Sequence, residues 1–228
     1  MTVACILVAA GRGERLGGDR PKAFAELAGR PLVEYALRAL ARSRAHDVVA
    51  VVPAGLENDP ALDGATRVVA GGATRQESVL LGLRALPGSV DVVLVHDAAR
   101  CLAPPELFDA VVDAVAARHD AVVPGLAVVD TVKQVDDGGR VIATPDREAL
   151  RAVQTPQGFR RSVLERAHAA AGPASAGSAD PPASDDAGLV ERLGLPVYVV
   201  PGHPDAFKIT QPMDLLLAEA VLAAKAAL

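Results

Sequence analysis

Apolar residues in this chain fall into short unbroken runs separated by stretches with helical spacing. Val3 to Val8 (VACILV) is almost continuously apolar, the pattern of a strand buried on both faces. Val48 to Val52, Arg67 to Ala70, Val90 to His96 and Ala121 to Leu126 repeat it. Between them lie amphipathic segments. Pro31 opens a helix whose Val33, Ala36, Leu37 and Leu40 recur at i, i+3, i+4 and i+7. Gln76 to Leu86 reads as a second helix, with Thr74 and Glu77 spaced as a capping box. Pro104 and Pro105 start a third, to about Arg118. The resulting order, β-loop-α-β-β-α-β-α-β, predicts an α/β fold: a doubly wound, Rossmann-like, mostly parallel sheet.

The rhythm then changes. Asp130 to Val135 and Arg140 to Thr144 flank Asp136-Asp137-Gly138-Gly139, a hairpin signal. An isolated hairpin is marginal in water, so residues 130–145 are expected to form a protruding β-hairpin arm that lies on a second subunit. Arg161 to Ala171 returns to helix. Residues 172–183, rich in Gly, Ala, Ser and Pro, read as a flexible surface insert. Ser184 and Asp185 are placed to cap a helix ending at Leu193. Val197 to Val200 and Phe207 to Ile209 are expected as short strands, and an amphipathic helix from Pro212 to about Ala227 closes the chain. No repeat or composition shift divides residues 1–228, which are expected to form one domain.

Composition narrows the function. Half the residues are hydrophobic but only 3% are aromatic, which suits a helix-covered parallel sheet and argues against base stacking on exposed rings. The net charge of -5 makes no global case for a nucleic acid or an anionic membrane, so any anion site must be local. Cys5 and Cys101 form no disulfide framework, which points to a reducing cytoplasm. Met1-Thr2 runs straight into the first strand, so no signal peptide is expected, and no apolar run reaches membrane-spanning length.

The local anion site is expected just after the first strand. Ala9-Ala10-Gly11-Arg12-Gly13 lets backbone approach a ligand, and Arg15 and Lys22 add cations that suit a polyphosphate. Two standard phosphate loops fail here. Leu16 occupies the last glycine position of the dinucleotide fingerprint, and no Gly-Lys-Ser/Thr follows as a P-loop requires. The alternative is a plain strand-to-helix turn with two solvated cations. Ligands of open α/β sheets bind outside the carboxyl ends of the strands. There the sequence also places Gly71, Gly72, Arg75 and Ser78, then Asp97 and Arg100. Asp97 has two readings, a loop carboxylate paired with Arg100 or a Mg²⁺ ligand acting alongside a bound triphosphate. The five histidines never fall at zinc spacing, and no Ser or Cys sits in a nucleophile motif.

These residues carry a resemblance. LVAAGRGERLGGDRPKAF, GGATRQESV, VHDAARCL, DTVKQV, DREALRAVQTPQGF, SDDAGLVE and FKITQPMDL, in this order, resemble the 2-C-methyl-D-erythritol 4-phosphate cytidylyltransferases of the non-mevalonate isoprenoid route. The resemblance implies transfer of CMP from CTP to methylerythritol phosphate with Mg²⁺, releasing pyrophosphate. By motif, Ala9, Ala10, Gly11, Gly72, Ser78 and Ala98 would bind the nucleotide, and Arg15 and Lys22 would be catalytic. Asp97 would serve the metal and the substrate hydroxyls. Arg100, Thr131, Arg147, Thr155, Ser184 and Lys208 would bind the acceptor, some reaching in from the partner's arm in a homodimer. Three positions depart from the pattern: Cys101 for a proline, Ala73 for an acidic residue, and Ser184 for a threonine. A sibling enzyme acting on ribitol 5-phosphate and a nucleotide-binding module without turnover are the competing readings.

Overall fold

The computed structural model describes residues 1–11, 13, 16, 20–172 and 183–226. Its elements begin with β1 (Val3–Val8) and a small antiparallel pair, β2 (Glu26–Leu27) and β3 (Arg30–Pro31). Then come α1 (Leu32–Leu40), β4 (Asp47–Val52), β5 (Arg67–Ala70), α2 (Arg75–Ala85) and β6 (Val92–Asp97). They continue with α3 (Pro105–Ala116), β7 (Ala121–Ala127), β8 (Gln134–Val135), β9 (Val141–Ala143), β10 (Arg151–Val153) and β11 (Gln157–Arg160). The last are α4 (Arg161–Ala171), α5 (Asp186–Arg192), β12 (Tyr198–Pro201) and α6 (Pro212–Ala226). Among the described residues, no helix is long and apolar enough to cross a membrane.

β1 lies at the middle of the main sheet, parallel to β6 on one side and to β4 on the other, with β5 beyond β4. The chain therefore builds outward to β5, then crosses back to place β6 on the far side of β1. That reversal opens a crevice at the carboxyl ends of β1 and β6. The alternation along β1 shows both faces covered. Val3, Cys5 and Leu7 enter one core with α1 and α3, while Ala4 and Ile6 enter another with α2, α4 and α5. β4 and β6 divide their residues in the same way, which is why these strands read as unbroken apolar runs.

Two strands of the main sheet, and the small pair β2 and β3, are not legible from the apolar pattern. β11 runs antiparallel between β6 and β7, and β10 pairs antiparallel with the carboxyl end of β7. β11 (QGFR) has a single large apolar residue, Phe159, so its strand character comes from the two neighbours that hydrogen-bond it. Phe207 to Ile209, expected as a strand, is instead a loop after the 3₁₀ turn Pro204–Ala206. Phe207 N–H closes that turn on the Pro204 carbonyl, and Ile209 N–H donates to the Ala99 carbonyl at 2.8 Å. The arm is shorter than expected, its two strands closed by Asp136, which accepts the backbone N–H of Gly138 and Arg140. Asp185, not Ser184, caps α5, accepting the Gly188 N–H at 2.9 Å. Of the expected surface insert 172–183, residues 173–182 lie outside the described set.

Gly82 in α2 is a packing glycine. A Cβ there would stand 2.6 Å from Ile6 Cγ2 and 2.9 Å from Val51 Cγ2, both in central strands. Alanine normally favours a helix by about 1 kcal/mol over glycine. Forcing a methyl into a filled core costs about 1–3 kcal/mol before that gain is deducted. The overpacking wins: Gly82→Ala lowers unfolding free energy by about 1 kcal/mol, read from urea titrations. A more stable variant would show that α2 can lift off the sheet.

Candidate active site

A cavity of about 370 Å³ opens at the crevice between β1 and β6. Its floor is the end of β1 and the following turn, Val8, Ala9, Ala10 and Gly11, and Lys22 stands beside it. The lining also takes in Gly72 to Arg75 and Ser78 at the start of α2, together with Asp97, Ala99 and Lys208. Asp97 is in register with Val8, so the carboxylate and the glycine turn leave neighbouring strands at the same level. Residues far apart in sequence therefore share one wall.

Local structure fixes each part. Lys22 begins a 3₁₀ turn held by Phe24 N–H to Pro21 O, with the Phe24 ring fully buried. Leu16, which broke the dinucleotide fingerprint, is buried in a third cluster with Leu27 and Leu32. The turn before α2 is satisfied from within. Ser78 Oγ accepts Gly72 N–H at 3.1 Å and donates to Thr74 O at 2.9 Å. Glu77 Oε2 accepts Ala73 N–H at 2.8 Å and completes the capping box with Thr74. These N–H groups are thus engaged, and a backbone contact at Ala73 would have to come from its carbonyl. A Cβ on Gly71 would stand 2.5 Å from Ala10 Cβ, so glycine there lets the two walls approach.

Asp97 is the electrostatic centre. Its side chain is 11% exposed, with Lys208 Nζ 2.6 Å from Oδ2 and Arg75 Nε 3.4 Å from Oδ1. Burial alone would raise its pKa. Arg75 and Lys208 outweigh that and hold it well below the usual carboxylate range. The Asp97 N–H donates to Thr155 Oγ1 at 3.1 Å, and that hydroxyl meets His96 Nδ1 at 3.0 Å. His96 is fully buried, and burial brings its pKa from 6.5 to about 4.

The two shifts act in separate pH windows. Between pH 6.5 and 4 the unfolded chain protonates His96 and the folded chain does not. Stability therefore falls through that window by about 1.4 kcal/mol per unit, roughly 3 kcal/mol in all. Asp97 contributes stability above the ordinary carboxylate range and loses it only as pH drops below about 4 toward its depressed value. Denaturant unfolding at about pH 7, 5.5 and 4 measures the first window. A His96→Gln protein whose stability falls just as steeply there would remove His96 as the cause.

The expected site residues divide into groups. Ala9, Ala10, Gly11, Lys22, Gly72, Ser78, Asp97 and Lys208 line the cavity together. Arg15 lies outside the described residues. Ala98 is fully buried and gives its N–H to Val8 O, while its neighbour Ala99 lines the wall. Thr155 is buried behind Asp97. Arg100 donates to the carbonyls of Ala206 and Val153, not to Asp97, and its buried Nε has no partner among the described residues. Thr131 on the arm and Arg147 just past it are exposed, and Arg147 donates to Val129 O. Ser184 is exposed beside α5, away from the cavity lining.

Sequence reasoning missed Asp186 and His168, 1% and 2% exposed. Asp186 binds Arg75 Nη1 at 2.6 Å and His168 Nε2 at 3.0 Å. A signal was available: Asp186 shares a helix face with Leu189 and Val190, and a carboxylate on an apolar face demands a cation.

Residues 3–224 match the family model described as 2-C-methyl-D-erythritol 4-phosphate cytidylyltransferase (IspD). Relatives bearing that name include one from Frankia casuarinae, 54% identical over 97% of this chain and 81% of its own length. Another, from Nocardia farcinica, is 51% identical over 100% and 96%. The crystal structure of the enzyme of that name from Thermus thermophilus is similar with a TM-score of 0.80 and 42% identity, covering 98% of this chain and 100% of that one. A 4-diphosphocytidyl-2C-methyl-D-erythritol synthase from Anaerococcus prevotii has a TM-score of 0.83 at 31% identity, covering 97% and 98%. With a family model spanning nearly its whole length and relatives above half identical, this chain belongs to the 2-C-methyl-D-erythritol 4-phosphate cytidylyltransferases.

Proposed function

We propose that the cavity binds CTP and that an oxygen of the 2-C-methyl-D-erythritol 4-phosphate group attacks the α-phosphorus. The bond to the β-phosphate breaks, pyrophosphate leaves, and 4-CDP-2-C-methyl-D-erythritol remains. The observation that carries this is a glycine-walled strand end where Arg75 and Lys208 converge on one carboxylate, Asp97, in a cavity that Lys22 also lines. The nucleophile is already an ionised phosphate oxygen, so no strong general base is required. The barrier is electrostatic: two polyanions must meet while charge builds on the α-phosphoryl oxygens. Lys22, with Arg15 by motif, would grip the triphosphate. Lys208 would stand between the two substrates. Ala9, Ala10, Gly11, Gly72 and Ser78 would enclose the base and ribose.

Asp97 is also the residue suited to Mg²⁺. No group of three or more acidic, His or Cys side chains that could hold a metal occurs among the described residues, so a cage built from protein alone is not the fit. A single carboxylate facing a phosphate site does fit an ion that keeps waters and takes its other ligands from the nucleotide. When bound, such an ion would neutralise non-bridging phosphate oxygens.

The acceptor half of this reading draws on the arm. Val129, Val135, Val141 and Ile142 are at least half exposed, Val129 at 85%, which supports burial of the arm against a second copy. Thr131 and Arg147 would then reach the partner's cavity. Buried unpaired Cys5 and Cys101 support a cytoplasmic setting. Purified protein assayed with CTP, Mg²⁺ and either methylerythritol phosphate or ribitol 5-phosphate tests the reaction by pyrophosphate release. Methylerythritol phosphate is expected as the preferred acceptor. Tight CTP binding with no pyrophosphate from either acceptor would defeat the reading, and light scattering showing a fully active monomer would defeat the shared site.

A further inference from the structure

A line of paired polar side chains runs from the cavity wall into the interior. Lys208 meets Asp97, Asp97 meets Arg75, Arg75 meets Asp186, and Asp186 meets His168. The inner two members do not touch the cavity. They are not needed to start α5 either, because Asp185 already caps it. Asp185 is itself held separately by Gln157 Nε2 at 2.6 Å. A carboxylate taken this far from water is costly unless its partners are well placed, and the structure supplies two.

The two Arg75 contacts are unequal. The contact to Asp186 is 2.6 Å, and that to Asp97 is a long 3.4 Å. A guanidinium fork readily takes both oxygens of one carboxylate. Released from Asp186, Arg75 would turn that fork fully onto Asp97. We propose that Asp186, oriented by His168, is a positioning residue that holds Arg75 back, so that Asp97 remains available to the magnesium nucleotide. His168 with hydrogen on Nε2 donates to Asp186, and its Nδ1 lone pair has no partner among the described residues. The proposal deepens the reading of Asp97 as the nucleotide-facing carboxylate and rests on it.

The test is calorimetric binding of Mg·CTP beside KM and kcat, with thermal midpoints recorded for each protein. Asp186→Asn weakens Mg·CTP binding about tenfold and raises KM for Mg·CTP similarly, the order seen when a ligand's supporting partner is lost. Asp186→Glu recovers most of the loss. In an Arg75→Gln background the Asp186→Asn change costs less than about twofold more, because Asp186 acts only through Arg75. Wild-type binding by Asp186→Asn, or a full second loss in the Arg75→Gln background, overturns the proposal. Should Asp186→Asn fail to fold, His168→Leu decides: binding weakened about threefold supports it, and wild-type binding overturns it. If the wild-type protein binds Mg·CTP but turns over neither acceptor, the reaction fails while the binding series still judges Asp186.

Discussion

Replacing Lys22 by alanine is expected to lower kcat at least about a hundredfold, a loss of about 3 kcal/mol of transition-state stabilisation. The fold should not suffer. The turn that presents Lys22 is held by buried Phe24 and by backbone bonds independent of the ammonium. Gly13, at φ +72°, lies so close that a Cβ there would collide with Lys22 Cβ. A preorganised cation aimed at developing phosphoryl charge contributes mostly in the transition state, so kcat should fall more than KM rises. Lys22→Arg keeps the charge and should recover part of the rate. Steady-state kinetics with CTP and methylerythritol phosphate measure this, and turnover within about threefold of wild type would remove Lys22 from the catalytic role. By motif, Arg15→Ala should behave alike.

Asp97→Asn is expected to be more severe, lowering kcat/KM about a thousandfold, or about 4 kcal/mol. The change is nearly isosteric but removes the charge that Lys208 and Arg75 converge on. Breaking a buried pair usually costs stability because one charge is left alone. Here the stability cost should be smaller, since Arg75 keeps Asp186 and the Lys208 side chain is 39% exposed and retains water. Activity should therefore collapse while the thermal midpoint shifts by a few degrees. Loss of folding and activity together would mean that Asp97 is chiefly structural.

Much of the site can be read in the chain before any coordinates. Gly11, Lys22, Gly72, Ser78 and Asp97 each follow or end an apolar run, and the parallel sheet brings the carboxyl ends of those runs together. Other positions depend on detail that residue type does not carry. Ala98 and Ala99 are indistinguishable in sequence, yet one is sealed beneath Val8 and the other faces the cavity. Ser184 and Asp185 are both good capping residues, and only the backbone geometry selects Asp185. Lys208 is assigned by its motif, but the apolar pattern puts it in a strand. It reaches Asp97 from a loop pinned at Ile209.

Local preferences of neighbouring residues determined the apolar strands, the helix starts and the glycine turn, because burial on two faces and capping leave their mark within a few positions. Only the assembled chain decided where β11 slots in, why Phe207 to Ile209 is not a strand, and that Arg75 is shared between carboxylates 22 and 111 residues away. Pairing of that kind depends on which surfaces the crossovers bring face to face, and no window along the sequence contains both partners.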